Sequence, residues 1–343
     1  MKKVLLFVAI ATLGLSSCSR SEEMVENKQN DAISFGSSVE GTKAMEKTST
    51  WVDGDMIGVH AFIKDGALAA DFEANFMNNE TITYTTPNWA YTNTKYWPNN
   101  STEMLSFVAY YPSSTMANSS VTSAPTVTLG AVTIPFEVKS DPAEQHDLLG
   151  GAVVDADKDN RDGAGSAITT GNTSIEMNHL LSKIVFAIKT NGDYTGATVR
   201  LKKIMIEQVK GEGNFILDNT FASPSWNTTA AMMSNYTAYD MATGIGQVVT
   251  DTEAMVGTYA DNGLMMIPQT LSATAKLVID YEVIYTSPAL VVDETKEVML
   301  NTTTATEWEM NKMYTYKIGI GLDAITFDFD ITAWDTPGSD ITI

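Results

Sequence analysis

One cysteine in 343 residues rules out an internal disulfide and leaves too few thiolates for a tetrahedral zinc site. Histidine is scarce as well. His60, His146 and His179 are scattered, with neither metal-ligand nor catalytic spacing. The chain lacks a G-x-S-x-G elbow, an H-E-x-x-H pair and a glycine-rich phosphate loop leading into a helix. A carboxylate pair of the glycosidase kind can always meet in space among 42 acids, but no spacing singles one out. These absences point to a protein that is not an enzyme and carries no cofactor or metal. Basic residues number 21 against 42 acidic ones, a net charge of −21, which argues against nucleic acid or anionic lipid headgroups as partners. No apolar run is long enough for a transmembrane helix, and no long stretch keeps a helical period.

The solitary thiol has a telling position. Lys2 and Lys3 form a positive start, residues 4–15 an apolar run, and Ser16-Ser17 a small-residue lead to Cys18. That order is a secretory signal peptide over residues 1–17. Leu15-Ser16-Ser17-Cys18 resembles a bacterial lipobox, in which the cysteine becomes the first mature residue and receives acyl chains. Such chains supply roughly 0.8 kcal/mol of membrane affinity per buried CH₂. Ser19 is not the aspartate of inner-membrane retention, and Ser21-Glu22-Glu23 resembles the export signal of surface lipoproteins in Bacteroidota-type bacteria. Loss of residues 1–17 removes Lys2 and Lys3 and no acid, leaving 19 basic against 42 acidic residues, −23. Residues 18–31 are polar and read as a tether.

The remainder reads as all-β. Apolar runs rich in Thr, Val, Ile, Tyr and Phe alternate with clusters of Asn, Gly, Asp, Ser and Pro. Clear strands are expected at 56–63, 103–111, 132–138, 183–190, 198–209, 275–286, 313–322 and 325–334, with one short helix at 67–76. Many short strands with punctuating turns indicate two tandem β-sandwich domains, 32–178 and 179–343. The loop "DADKDNRDG" spaces Asp155, Asp157 and Asp159 like the start of a calcium loop. Asn160 then stands in place of the glycine and Ser166 in place of the bidentate glutamate, so a solvated acidic loop is the better reading. The aromatics Trp51, Trp89, Tyr91, Tyr96, Trp97, Tyr110 and Tyr111 fit strand cores by their alternation. An exposed set would instead stack on sugars, the basis of an alternative reading as a lipid-anchored surface glycan-binding protein.

The last strand alternates strictly. Ile325, Phe327, Phe329 and Ile331 face one side, with Thr326, Asp328, Asp330 and Thr332 on the other. Near the opposite end, "AISFG" (32–36) offers a short strand with Ile33 and Phe35. Together with "GTKA", "WVDGDMIGVHAF", "KYWP", "LSFVAYYP", "DLL", "NHLLSKIVFAI", "GLMMIPQTL", "KLVIDYEV" and "FDITAW", these landmarks resemble the fimbrillin-like (Mfa-like) proteins, the pilins of Bacteroidota type V fimbriae.

The resemblance implies two transthyretin-like sandwiches in a fimbrial subunit that crosses the envelope as a lipoprotein. It places the protein at the outer membrane and cell surface, in a fimbrium that supports adhesion. A trypsin-like protease would cut between Lys43 and Ala44 and remove the strand carrying Ile33 and Phe35. A neighbouring subunit's donor strand, Ile325, Phe327, Phe329 and Ile331 with Trp334 near its end, would then fill the groove. Partners are thus other fimbrial subunits, the processing protease, and the membrane through lipid on Cys18. One residue departs from the pattern: the best-known processing enzymes cut after arginine, and Arg20 lies upstream of the strand to be removed. An anchor-type subunit that keeps its lipid and is never cut therefore stays open.

Overall fold

The computed structural model describes residues 32–39, 51–65, 76–99, 102–128, 131–161, 163, 172–218, 223–228, 232–241, 244–256, 263–301, 306–321 and 325–334. The fold is all-β, and the only helical element among these residues is a 3-10 turn at Pro142–Glu144. All but Phe76 of the helix expected at 67–76 lies outside the described residues.

A seven-stranded sheet runs in the order Phe35–Val39, Thr173–His179, Leu149–Ala156, Glu103–Tyr111, Met56–Asp65, Met77–Thr85, Asn88–Ala90. Its central strand shows why it holds both layers. In "EMLSFVAYY" the side chains of Leu105, Phe107, Ala109 and Tyr111 join one buried cluster, and Val108 and Tyr110 join another. Successive side chains point to opposite faces, so a strand buried on both faces is apolar almost throughout. The first cluster also takes Ile57, Val59, Ala61, Leu149, Ile175 and Met177. The turn before Met56 is set by "VDGD": Gly54 adopts φ +95°, and the Asp55 carboxylate accepts the Val52 N–H at 2.6 Å. Gly58 has no room for a side chain, because a Cβ there would lie 2.2 Å from the Tyr110 ring. That ring reaches over to donate its hydroxyl to Asn79 Oδ1 at 2.6 Å.

Against the second face lies a four-stranded sheet, Ser225–Asn227, Glu212–Asp218, Ala131–Glu137, Thr126–Thr128. Its strands come from both sides of residue 178. The crossing is made at Gly211: the strand Ala197–Lys210 belongs to a different sheet, and the next strand, Glu212–Asp218, pairs antiparallel with Ala131–Glu137. A Cβ at Gly211 would meet the Tyr236 hydroxyl at 1.5 Å, so any other residue there would have to displace that ring. Two five-stranded sheets follow, besides a two-stranded one that pairs Gln269–Thr270 with Glu307–Trp308. One contains Met233–Asp240, Ala197–Lys210, Lys276–Thr286 and Ala289–Met299, with Gln247–Val249 beside Ala197–Lys210. The other contains Ala254–Met255, Ser182–Thr190, Lys312–Ile320 and Ile325–Ala333, with Leu264–Met266 beside Ser182–Thr190. One continuous core joins Tyr110, Ile134 and Phe215 to Leu201, Ile279, Ile184, Tyr316 and Ile318.

His60 sits wholly buried on the second face of the large sheet, its Nδ1 accepting the Asn79 N–H at 3.3 Å. Burial pushes its pKa down to about 4, opposed more weakly by the Asn78 side chain as an acceptor toward the protonated ring. The unfolded chain takes up a proton near pH 6.5 and the folded chain only near 4. Stability therefore falls as pH drops through that window, by about 3 kcal/mol in all. Urea midpoints measured at pH 7 and pH 4.5 will shift less in His60→Gln than in the wild type. Equal shifts would assign the acid sensitivity to other groups.

Candidate functional site

The first strand is the piece that closes the large sheet into a ring. Phe35–Val39 pairs parallel with Thr173–Met177 at one end of the sheet. Just before it, Ala32 bridges to Tyr96, and the Ile33 N–H donates to Lys95 O at 2.9 Å, on the segment that follows the strand at the opposite end. Tyr91 Oη donates to Ile33 O at 3.0 Å, and the Thr173 N–H donates to Ser34 O at 2.7 Å. Alternation does the rest. Ile33 and Phe35 point inward and are each 2% exposed, and Phe35 meets Tyr91 and Phe107 edge-on at 5.9 and 5.6 Å between ring centres. The ladder begins at Phe35 and runs to Val39, further along the chain than the expected 32–36. Cys18, Lys43 and Ala44 lie outside the described residues.

The terminal strand Ile325–Ala333 occupies the edge of its sheet, antiparallel to Lys312–Ile320. Ile325 and Phe329 are half-buried against the core, with the Phe329 ring 6.2 Å from that of Tyr316. Ile331 is 46% exposed, and the Phe327 side chain lies outside the described residues. On the polar face Asp328 and Asp330 are exposed, and Asp330 pairs with Lys317.

Trp334 behaves differently from the strand it follows. It is 6% exposed, its N–H donates to Asn311 O at 3.2 Å, and its ring stacks on His179 at 4.4 Å with 8° between planes. His179 in turn holds Asp147 through Nδ1, and both side chains are buried. The landmarks "DLL", "NHLL" and "FDITAW", well separated in sequence, thus converge at one buried node. Each residue type was visible in the sequence, but a carboxylate, an imidazole and an indole so far apart carry no spacing signal.

The other candidates fall into place locally. Asp155 pairs with Lys64, and Asp157 Oδ1 accepts the N–H groups of Asp159 and Asn160, both at 2.7 Å. The acidic loop thus spends these carboxylates on its own backbone and a lysine. Among the described residues no group of three His, Cys, Asp or Glu side chains is placed to hold a metal ion. No helix among them is long and apolar enough to cross a membrane. Trp51, Trp97, Tyr110 and Tyr111 are buried, Trp89 and Tyr91 partly so, and Tyr96 is 45% exposed. Most of the aromatics therefore serve the cores.

Comparison with known proteins places this geometry. A crystal structure of a fimbrial protein from Bacteroides vulgatus superposes with a TM-score of 0.67 at 18% identity, covering 88% of this chain and 99% of that one. A Bacteroides uniformis protein proposed for cell adhesion superposes with a TM-score of 0.53 at 16% identity, covering 89% and 99%. These likenesses speak to the fold. In sequence, the fimbrium subunit Fim1C of Phocaeicola vulgatus is 29% identical over 147 residues, 39% of this chain and 38% of that relative's length. The model of the fimbrillin-like family matches residues 42–334, most of the length of the chain, and the protein belongs to that family.

Proposed function

We propose that the protein is a structural, non-enzymatic subunit of a cell-surface fimbria that supports adhesion. In this reading it is exported as an outer-membrane lipoprotein through Cys18 and cut after Lys43. It then polymerises by exchange of β-strands, with other fimbrial subunits as partners. The observation that carries the reading is the first strand itself. It supplies Ile33 and Phe35 to a closed core, yet it sits at a sheet edge, and residues 40–50 alone follow it before Trp51. A cut at Lys43 severs that strand from the body at a point between described elements. Its departure leaves an apolar slot and a row of unpaired N–H and C=O groups on Thr173–Met177. An added strand restores both, the backbone supplying affinity and the alternate side chains supplying register. The terminal strand has a suitable pattern, with Ile325, Phe327, Phe329 and Ile331 at alternate positions. A head-to-tail contact of this kind need not close and so propagates.

Limited trypsin digestion of residues 19–343, followed by intact mass and a gel run without boiling, tests this. The expected result is one dominant cut after Lys43, a stable remainder, and new SDS-resistant ladders once the freed strand leaves. A product that loses the strand and stays monomeric would sink polymerisation by exchange. Resistance at Lys43 would favour an anchor subunit that retains its lipid.

A further inference from the structure

We propose that the strand Thr173–His179 couples the two ends of the subunit, so that loss of the first strand also frees the terminal strand. This rests on the strand-exchange reading and adds an order of events to it: a subunit becomes an effective donor only after its own slot has opened.

The argument starts from how that strand is held. Along Thr173–Met177 its ladder partner is the first strand, in register from Phe35↔Thr173 to Val39↔Met177. On its other side the pairs among the described residues are Leu149↔His179 and Gly150↔Asn178. When the first strand leaves, the ladder that remains on Thr173–His179 among the described residues is therefore confined to its last two residues. One of those is His179, whose ring carries Trp334 on one face and whose Nδ1 holds Asp147. Asp147 lies two residues before Leu149, the residue that pairs with His179. The stack has 8° between ring planes and 4.4 Å between centres, so a small rotation of the imidazole abolishes it.

Trp334 fixes the end of a strand that its sheet holds from one side. Ile325–Ala333 is bonded along one edge only among the described residues, and much of its outward surface is exposed. Beyond the ladder to Lys312–Ile320, the stacked Trp334 ring and the backbone N–H of Trp334 to Asn311 O anchor its end. The two states differ in named contacts. With the first strand in place, Thr173–Met177 is braced and Trp334 docked. Without it, Thr173–Met177 loses that ladder, the loosening passes two residues along the chain to His179, the stack opens and the terminal strand exchanges out. Coupling of this kind needs an element that both sites bias, and Thr173–His179 touches both.

Hydrogen exchange followed by mass spectrometry tests the proposal on the mature chain, uncut and after cleavage at Lys43. Exchange in Thr173–Met177 reports whether the strand has left, and Lys276–Thr286 serves as the control for global opening. The expected result is at least tenfold faster exchange in Ile325–Ala333 on release, with Lys276–Thr286 unchanged. Trp334→Leu, which removes the stack and retains the Asp147–His179 pair, should exchange fast in Ile325–Ala333 before the cut and gain little after it. Phe35→Ala in the uncut chain loosens the first strand without proteolysis and should shift exchange the same way. Fast exchange in Thr173–Met177 with an unchanged terminal strand would overturn the coupling, whether or not ladders form. Faster terminal-strand exchange without ladders would uphold the coupling and count against polymerisation.

Discussion

Asp147→Ala lowers the free energy of unfolding by about 1–3 kcal/mol, the cost of leaving the buried His179 Nδ1 without its hydrogen-bond partner. Asp147 and His179 are both fully enclosed, and the imidazole cannot turn to water when its carboxylate is removed. The loss exceeds that of an ordinary surface pair because Trp334 and the end of the terminal strand are stacked on the same ring. Urea titration at pH 7 reads the change as a shift in midpoint with the slope retained. A loss below about 1 kcal/mol would show that His179 finds another partner and that the node is held by packing alone. The comparison that sharpens the test is Lys317→Ala. It breaks the exposed Lys317–Asp330 pair on the same strand and should cost no more than about 1 kcal/mol.

Phe35→Ala costs about 3–5 kcal/mol, in the range for a buried aromatic ring removed from a core. Its ring has Phe107 and Tyr91 as edge-on neighbours and is shut off from solvent, so truncation leaves a cavity between them. Because the strand lies at an edge, part of the loss will appear as local opening rather than global unfolding. Protease sensitivity within residues 32–39 should therefore rise before the global midpoint moves. Ile331→Ala on the terminal strand, by contrast, should fall within about 0.5 kcal/mol, since that side chain is largely exposed in the free subunit. If both truncations cost the same, the first strand would not be the plug that its burial suggests. The difference between these residues is also the asymmetry that strand exchange needs: one strand filling a core, the other with spare apolar surface.

Much of this could be read before any coordinates. The strand expected at 103–111 is the strand Glu103–Tyr111, and those at 183–190, 198–209, 275–286 and 325–334 differ from the observed ones by a residue or so at their ends. The strands that the pattern did not announce are instructive. Leu149–Ala156 opens on two glycines after its leucine, Met233–Asp240 is largely polar, and Ala289–Met299 carries charges through its second half. Met233–Asp240 and Ala289–Met299 are edge strands whose faces meet solvent, while Leu149–Ala156 lies inside its sheet and its glycines have no side chain to show alternation.

The sequence by itself determined the solitary cysteine, the all-β character, the period-two faces of the terminal strand and the family landmarks. These depend on residues within about ten positions of one another, where propensity, alternation and turn chemistry act directly. Only the tertiary structure decided which strands are neighbours. It decided that Phe35–Val39 closes a ring of strands around Phe107, that Glu212–Asp218 leaves its predecessor's sheet to pair with Ala131–Glu137, and that Asp147 meets His179 beneath Trp334. Many strands in this chain offer equivalent ladders of N–H and C=O groups. The choice among them is made by side-chain packing between segments far apart in sequence, a selection that local patterns do not encode.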